Sequence, residues 1–253
     1  MVLPKIALVG YGSMGKEIEK LALNNGFVIT DIFDEFKPIN PKQNYDFDVA
    51  IDFTTPASVI DNIKILSDLG KNIVIGTTGW YEKLEYVKNL ANEKQIGIIW
   101  GANFSIGMQM FYNIVSTAAK LVNLNNEYDI FAHELHHKRK KDSPSGTAIA
   151  LANIILENIQ SKESLLTETS HNEIAPDSLH FTSTRGGEIP GTHTIYIDSL
   201  ADTIEITHRV RNRSGLANGA LKATEMIYNR KGFFQFNDLL EELWLSKSIK
   251  LFG

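Results

Sequence analysis

A glycine-rich turn near the amino terminus restricts the fold of this chain more than any other feature. Residues 10–15 read G-Y-G-S-M-G, and they follow a short apolar run at residues 6–9. Apolar residues at helical spacing come next, at Met14, Ile18 and Ala22. A strand, a tight glycine turn and a helix in direct succession begin a β-α-β unit, and such units build a parallel sheet.

The same alternation continues to about residue 100. Apolar runs predict further strands at residues 27–33, 49–53, 73–75 and 96–100, with helices at residues 56–69 and 81–94. Strands that alternate with helices form a parallel sheet covered on both faces. We therefore predict an α/β fold with a Rossmann-type domain.

The pattern changes after residue 103. It predicts a helix at 111–122, a strand at 128–132, a helix through 149–159, three strands between 181 and 210, and a helix at 216–227. We interpret residues 107–213 as an inserted α+β domain. Residues 1–106 and 214–253 then form the dinucleotide-binding domain.

The composition excludes several classes of protein. The 253 residues carry a net charge of −5, without the basic excess of a nucleic-acid-binding protein. The absence of cysteine excludes disulfides and thiol nucleophiles and fits a reducing cytoplasm. No basic leader and no apolar run of membrane-spanning length is visible. We expect a cytoplasmic protein that binds neither nucleic acid nor membranes.

The glycines suit the binding of a dinucleotide. Gly10 permits a tight turn, Gly12 lets a pyrophosphate approach the backbone, and Gly15 lets the helix pack against the strand. The N–H groups at the start of the helix, which includes Ser13 and Met14, suit phosphate oxygens.

Asp34, at the end of the second predicted strand, bears on which dinucleotide binds. An acid there accepts hydrogen bonds from ribose hydroxyls and repels a 2′-phosphate, which favours NADH. Lys37 lies close in sequence and softens that preference. The choice between NADH and NADPH stays open at this point.

A second segment predicts a site for a small anionic substrate. His136, His137 and Lys140 precede a Ser-Gly-Thr turn at residues 145–147 that starts a helix. Unpaired N–H groups at a helix start suit a carboxylate, and nearby cations attract a dianion. A histidine can transfer a proton near neutral pH.

Other interpretations of this segment compete. His133, Glu134 and His137 satisfy H-E-x-x-H, a zinc-hydrolase signature that works on a helix. The preceding residues predict a strand and Pro144 follows soon after, so the helical setting is missing. We therefore predict no metal.

The four cations at residues 138–141 could be a nucleic-acid patch or a nuclear-localisation signal, but the chain is acidic overall. We interpret Lys138, Arg139 and Lys141 as a solvated loop.

The segment resembles the signature E-x-H-H-x-x-K-x-D-x-P-S-G-T-A of the dihydrodipicolinate reductase family. The matching positions are Glu134, His136, His137, Lys140, Asp142, Pro144, Ser145, Gly146, Thr147 and Ala148. Further matches follow in order at residues 52–54, 76–79, 103–107, 185–193 and 208–220. The resemblance covers nearly the whole chain, although Val9 stands where many members have a glycine.

The resemblance implies an NAD(P)H-dependent reduction to tetrahydrodipicolinate in diaminopimelate and lysine biosynthesis. The implied substrate is a cyclic dicarboxylate imine, either 4-hydroxy-tetrahydrodipicolinate or the dihydrodipicolinate formed by its dehydration. By resemblance His136 donates a proton and Lys140 is the second catalytic residue. The residues implied for substrate binding are His137, Ser145, Gly146, Thr147 and Thr78. His137 could instead orient another group.

The resemblance also implies that the inserted domain binds the substrate and forms the core of a homotetramer. The residues expected to contact the cofactor are Gly10, Gly12, Ser13, Met14, Gly15, Asp34, Gly76, Thr77, Thr78, Gly101, Ala102, Asn103 and Phe104.

Three rival functions remain in view. One is another reductase of similar layout, such as an amino-acid or aspartate dehydrogenase. The second is the zinc hydrolase, and the third is a non-catalytic nucleotide sensor. The histidine and lysine segment favours the reductase over all three.

Overall fold

In the first hundred residues the apolar runs form strands within about a residue of the positions that the sequence predicts. The computed structural model describes residues 2–251, with side chains through residue 246. Residue 1 and residues 252–253, which the sequence analysis places in the first domain, lie outside the described residues.

Eleven strands and seven α-helices lie within residues 2–251. The strands are β1 (Lys5–Val9), β2 (Val28–Phe33), β3 (Val49–Asp52), β4 (Asn72–Ile75), β5 (Gly97–Trp100), β6 (Asp129–His136), β7 (Ser164–Leu166), β8 (Ser178–Arg185), β9 (Thr192–Asp198), β10 (Thr203–Arg209) and β11 (Gly232–Gln235). The helices are α1 (Ser13–Asn24), α2 (Val59–Asp68), α3 (Leu84–Lys94), α4 (Ile106–Asn123), α5 (Gly146–Asn158), α6 (Ser214–Ile227) and α7 (Phe236–Leu251). A 3₁₀ turn at Tyr81–Lys83 precedes α3.

The chain divides into two compact units, Met1–Ile106 with Arg213–Gly253, and Gly107–Asn212. In the first unit six parallel strands lie in the order β11-β5-β4-β3-β1-β2. This sheet confirms the predicted Rossmann-type fold. The sequence pattern does not predict β11 and α7; β11 is a four-residue strand that pairs with β5.

Both faces of this sheet are buried because successive side chains of a strand point to opposite faces. Ile6 and Leu8 of β1 enter the core beneath α1 and α6. Ala7 and Val9 enter the core beneath α2 and α3. This explains why the strands are continuous apolar runs, without the polar alternation of a half-exposed sheet.

The second unit contains a mixed sheet in the order β10-β9-β6-β8-β7. Its central strand β6 is parallel to β8 and antiparallel to β9. Helices α4 and α5 cover one face through residues such as Phe111 and Leu151, which pack with Ile195 of β9.

Strand β6 extends four residues beyond the predicted end at residue 132. Ala132, Glu134 and His136 are buried along it, whereas His133 and Leu135 alternate with them and are half-buried. The extension matters because it places His136, the expected proton donor, on a strand within a sheet. Across residues 2–251, no helix has both the length and the apolar composition of a membrane span.

A substitution at Gly219 of α6 would test the packing of the first unit. An ideal Cβ on Gly219 would lie 1.6 Å from the carbonyl oxygen of Phe104. We expect Gly219→Ala to lower the free energy of unfolding by about 1–3 kcal/mol or more, because an overpacked site must shift its backbone. Urea denaturation measures the change.

Gly215→Ala is the matched control in the same helix. Its Cβ would meet only the Ser105 hydroxyl, at 3.6 Å. Since alanine favours a helix over glycine by roughly 0.5–1 kcal/mol, this variant should be as stable as the parent or more stable. Equal effects of the two substitutions would contradict the packing argument.

Candidate active site

A cavity of about 740 Å³ lies at the carboxyl ends of β1, β2 and β3. Strand β1 lies between β2 and β3, so the connections leave it in opposite directions and open a crevice above it. Of the residues expected to contact the cofactor, Gly10, Gly12 and Asp34 line this cavity. Parallel sheets of this kind bind ligands at such a crevice.

Glycine occupies each of the three positions of the turn for a different geometric reason. Gly10 has a φ of +90°, and a Cβ there would lie 2.4 Å from the Phe53 carbonyl oxygen. A Cβ on Gly15 would lie 2.3 Å from the Gly10 carbonyl oxygen. Gly12 has no neighbour within 4 Å of its Cβ position, which leaves its backbone open to a ligand. The roles inferred from the sequence are compatible with this geometry.

The acidic side of the cavity is formed by the loop after β2. Asp34 accepts hydrogen bonds from the N–H groups of Phe36 and Lys37, each at 2.9 Å. Glu35 lines the cavity beside it, and among the described lining residues there is no lysine or arginine. The Lys37 ammonium lies 5.9 Å from the centre of the Phe33 ring.

The loop after β4 is held by the buried carboxyl of Asp52. Asp52 accepts hydrogen bonds from the hydroxyls of Thr54 and Thr77 and from the Asn62 amide. Burial raises the pKa of Asp52, against these hydrogen bonds, which favour the carboxylate. Thr77 is therefore buried and engaged, and Thr78 is exposed.

The other residues expected to contact the cofactor lie outside the cavity lining. Ser13 and Met14 are in the first turn of α1, and Ala102 follows β5. Phe104 is a core residue whose ring centre lies 4.7 Å from that of Phe236. Gly76 could not carry a side chain there, because its Cβ would lie 2.1 Å from the Phe53 ring. Three further members of the set, Thr78, Gly101 and Asn103, lie in the loops after β4 and β5.

In the second unit the buried carboxylate of Glu134 is the centre of the polar network. It accepts hydrogen bonds from the Ser145 N–H at 2.9 Å, the Ser145 hydroxyl, the Ser183 hydroxyl at 2.8 Å and Arg185 at 2.8 Å. His193 Nε2 lies 3.3 Å from it. Burial by itself raises the pKa of Glu134, but hydrogen bonds from His193, Ser145, Arg185 and Ser183 hold it well below its usual range.

His136 lies on the same face of β6, with Nδ1 3.2 Å from the Glu134 carboxylate. Burial lowers the pKa of His136 to about 4; the Glu134 carboxylate opposes this shift, and Lys140 and Arg185 add to it. A Cβ on Gly191 would lie 3.0 Å from His136 Nε2, so the glycine keeps that side of the imidazole open. His136 is thus neutral near pH 7 in the unliganded protein.

Lys140 and His137 lie in the loop that leaves β6. The His137 N–H donates to the Ile189 carbonyl at 2.8 Å. The Lys140 ammonium lies 2.9 Å from the Asp142 carboxylate, and this contact holds the pKa of Asp142 below its usual range. The backbone of Gly146 also hydrogen-bonds to Asp142. In the absence of a ligand, the Asp142 carboxylate is therefore the anionic group that lies at the start of α5.

The start of α5 is fixed by Ser145. Its hydroxyl accepts from the Ala148 N–H at 3.1 Å and donates to Glu134, while its own N–H also donates to Glu134. Thr147 follows and hydrogen-bonds to Tyr112. Ser145 therefore has no donor left for a ligand in this arrangement.

The zinc-hydrolase signature lies on a strand. His133 Nδ1 lies 2.7 Å from the Thr182 hydroxyl, on the opposite face of β6 from Glu134. Atoms of Glu134, His136 and His193 lie within 4.8 Å of one another, a spacing that suits a metal ion. Arg185 already neutralises this carboxylate, which disfavours a metal there.

The residues that sequence reasoning missed are Ser183, Arg185 and His193. From the sequence, Glu134 is recognised only as part of a motif, and residues 185–193 only as a run that matches the family. The alternation of β6 could have placed Glu134 on the same face as His136, but no local pattern pairs residues of β8 and β9 with that face.

Two family models match the chain. The model described as dihydrodipicolinate reductase, N-terminus, matches residues 4–104, and the model for the C-terminus of the same family matches residues 107–240. A 4-hydroxy-tetrahydrodipicolinate reductase of Christiangramia forsetii is 34% identical over 94% of this chain and 98% of its own length. The reductase of Ralstonia nicotianae is 36% identical over 76% of this chain and 74% of its own length.

A solved structure has the same fold. The dipicolinate-bound dihydrodipicolinate reductase of Paenisporosarcina superposes with a TM-score of 0.74 at 23% identity, over 94% of this chain and 99% of that one. This similarity supports the two-sheet architecture.

The depressed pKa of His136 predicts how stability depends on pH. Nuclear magnetic resonance of the imidazole should give a midpoint near pH 4. In the unfolded chain the pKa is about 6.5. Since the unfolded chain then binds more protons between these values, the stabilising contribution is complete above about pH 6.5 and is lost as the pH falls towards 4.

His136→Gln provides the control for this prediction. Between pH 7 and pH 5 the parent should lose on the order of 1–2 kcal/mol more stability than the variant in urea denaturation. A midpoint near 6.5, or equal losses, would contradict the prediction.

Proposed function

Since the chain belongs to the dihydrodipicolinate reductase family, we propose that His136 and Lys140 are the catalytic residues of its reaction. The reaction is the NAD(P)H-dependent reduction of 4-hydroxy-tetrahydrodipicolinate to tetrahydrodipicolinate in lysine and diaminopimelate biosynthesis. The amino-acid dehydrogenase, zinc-hydrolase and sensor alternatives are not favoured, because the family matches extend over both units.

The two units have different roles in this proposal. The first unit binds the dinucleotide, supported by the cavity at the carboxyl ends of β1, β2 and β3. The second unit binds the dicarboxylate at the loop between β6 and α5. The observation that carries this assignment is the meeting of His136, the Lys140 loop and the start of α5 around Glu134.

Proton transfer is the task of His136. When bound, NAD(P)H would supply the hydride for C4 of the dihydrodipicolinate ring, which forms when 4-hydroxy-tetrahydrodipicolinate loses its hydroxyl group as water. His136 then gives a proton to C3, and Lys140 stabilises the negative charge that develops. His136 is neutral without ligand, but two substrate carboxylates nearby would raise its pKa, because opposite charge favours the protonated imidazole. Substrate binding would therefore charge the proton donor.

The carboxylates are held by His137, Gly146 and Thr147. The N–H groups at the start of α5 supply donors, as helix starts do for anions. A substrate carboxylate would compete with Asp142 for the Lys140 ammonium. Ser145 supports this site indirectly, because its donors are used by Glu134. Thr78 would lie near the nicotinamide and the substrate.

NADH is the preferred cofactor in this proposal. Asp34 and Glu35 line the cavity, and two carboxylates repel a 2′-phosphate. Lys37, the cation closest in sequence, is outside the described lining. These positions support the preference for NADH that is expected from Asp34. They also indicate that Lys37 offsets this preference less than its position in the sequence suggests.

The protein acts as a homotetramer in this proposal, through the sheet face that α4 and α5 leave uncovered. Phe131 and Tyr196 lie opposite each other on that face and stack with ring centres 5.0 Å apart, and Phe131 is exposed. Exposed apolar side chains that cluster on one face commonly form interfaces. We also propose a cytoplasmic location, where the nicotinamide pools are.

A coupled assay tests the proposed function. The upstream synthase would condense pyruvate with aspartate semialdehyde, and nicotinamide absorbance would be followed after addition of the purified protein. Oxidation that needs both enzymes supports the function. A folded protein that binds nucleotide but oxidises neither NADH nor NADPH would remove the substrate assignment.

Substitution of the catalytic residues tests their roles. We expect His136→Ala and Lys140→Ala each to lower kcat by roughly two to four orders of magnitude, the range for loss of a general acid or base. The dissociation constant for NADH should change little. Lys138→Ala, at an exposed position of the same loop, is the matched control. Turnover within a few-fold of the parent in either catalytic variant would exclude that residue.

Asp34→Asn tests the cofactor preference. The variant removes the charge, and its side-chain oxygen can still accept the N–H groups of Phe36 and Lys37. We expect the ratio of kcat/KM for NADPH to that for NADH to rise about tenfold, because one repulsive charge near the 2′-phosphate is worth about 1.4 kcal/mol at an intermediate dielectric constant. An unchanged ratio would show that Asp34 does not select the cofactor.

A further inference from the structure

The proposed mechanism leaves the most buried charge of the second unit unexplained. Glu134 is fully buried, and its neighbours across the sheet are Ser183 on β8 and His193 on β9. A buried carboxylate is costly unless donors surround it. Ion pairs of this kind are weak evidence for stability, since apolar replacements are often neutral or stabilising. The cluster therefore calls for a role other than stability.

Arg185 connects this carboxylate to the loop that carries Lys140. One guanidinium nitrogen donates to Glu134 at 2.8 Å and to the backbone carbonyl of Asp142 at 2.7 Å. The Asp142 side chain in turn holds the Lys140 ammonium at 2.9 Å. His136 lies directly opposite Arg185 in the register of β6 and β8. The ion pair thus lies directly beside His136 and is linked to Lys140 through Asp142.

Glu134 also connects to the start of α5. The Ser145 N–H and hydroxyl both donate to it, and the Ser145 hydroxyl also caps the helix through Ala148. The N–H groups proposed to hold a substrate carboxylate follow directly at Gly146 and Thr147. One carboxylate therefore links the strand of the proton donor to the helix of the anion site.

We propose that Glu134 and Arg185 are positioning residues, which hold His136, the Lys140 loop and the start of α5 in a single arrangement. This inference rests on the proposed catalytic roles of His136 and Lys140. It assigns neither Glu134 nor Arg185 a contact with substrate or cofactor. Displacement of a reacting group by about 1 Å can cost roughly 100-fold in rate, so a network of this rigidity has a direct consequence for turnover.

Glu134→Gln is the first test, because glutamine keeps the shape and removes the charge. We expect kcat of the folded variant to fall about 100-fold, the cost of a misplaced catalytic group. The dissociation constant for NADH should stay unchanged. A folded variant with kcat within threefold of the parent would overturn the proposal.

Arg185→Lys is the second test and decides the matter if Glu134→Gln does not fold. Lysine keeps the positive charge but lacks the rigid guanidinium, one nitrogen of which donates to both Glu134 and the Asp142 carbonyl while the other donates to the Thr184 carbonyl. We expect kcat to fall tenfold or more with wild-type cofactor binding. A folded variant with unchanged kcat would remove Arg185 from the proposal.

Glu188→Gln is the matched control. Glu188 pairs with Arg139 through two hydrogen bonds, of 2.7 and 2.5 Å, and both side chains are exposed. This ion pair is close in sequence to the buried one but lacks its burial and its contacts. We expect kcat within twofold of the parent, and a loss equal to that of Glu134→Gln would show that any lost ion pair in this region has the same effect.

Titration of His136 separates positioning from a purely structural role. The groups that face its imidazole are Glu134 on β6, Arg185 on β8, His193 on β9 and Lys140 in the loop. The Glu134 charge raises the pKa of His136, so Glu134→Gln should move the midpoint to lower pH in nuclear magnetic resonance. An unchanged midpoint would contradict a defined contact between the two side chains.

This titration needs no substrate, so its outcome is independent of the proposed function. If the parent protein shows no reductase activity, the function fails while the titration still tests the contact. If the parent is active and both Glu134→Gln and Arg185→Lys retain kcat, the positioning role fails and the function stands.

Discussion

The buried carboxylate of Glu134 is the interaction on which the second unit's site depends. Its donors come from β8, β9 and the start of α5, so it joins elements that are far apart in sequence. Because each oxygen accepts more than one contact, the carboxylate can neither rotate nor leave without breaking several hydrogen bonds. The position of His136 beside it follows from the alternation of β6.

The site of the first unit is formed for a different physical reason. Its strands are parallel and buried on both faces, so polar groups can gather only at the strand ends. The turn at Gly10 and the loop after Asp34 meet there because β1 and β2 are neighbours. Asp52 fixes the next loop through Thr77. The cavity is therefore a consequence of sheet order, and the glycines give a ligand access to the backbone.

Charge has opposite arrangements in the two units. The cavity of the first unit is lined by Asp34 and Glu35, which suits hydroxyls as hydrogen-bond partners. In the second unit Lys140 and Arg185 lie near His136 and help to keep its imidazole neutral. An anionic ligand there would be attracted and would favour the protonated histidine. The charges thus favour different ligands: hydroxyl groups in the first unit and an anion in the second.

The sequence by itself determined the two kinds of sheet, the glycine turn and the family, because strand periodicity and contiguous motifs are local properties. It also placed His136 and Lys140 in one short segment. The tertiary structure decided what surrounds them. Glu134 finds Ser183 and Arg185 at separations of 49 and 51 residues along the chain, and no local pattern encodes such pairs. Only folding brings the strands into register, and burial, which is the largest cause of the lowered pKa of His136, arises only in the folded protein.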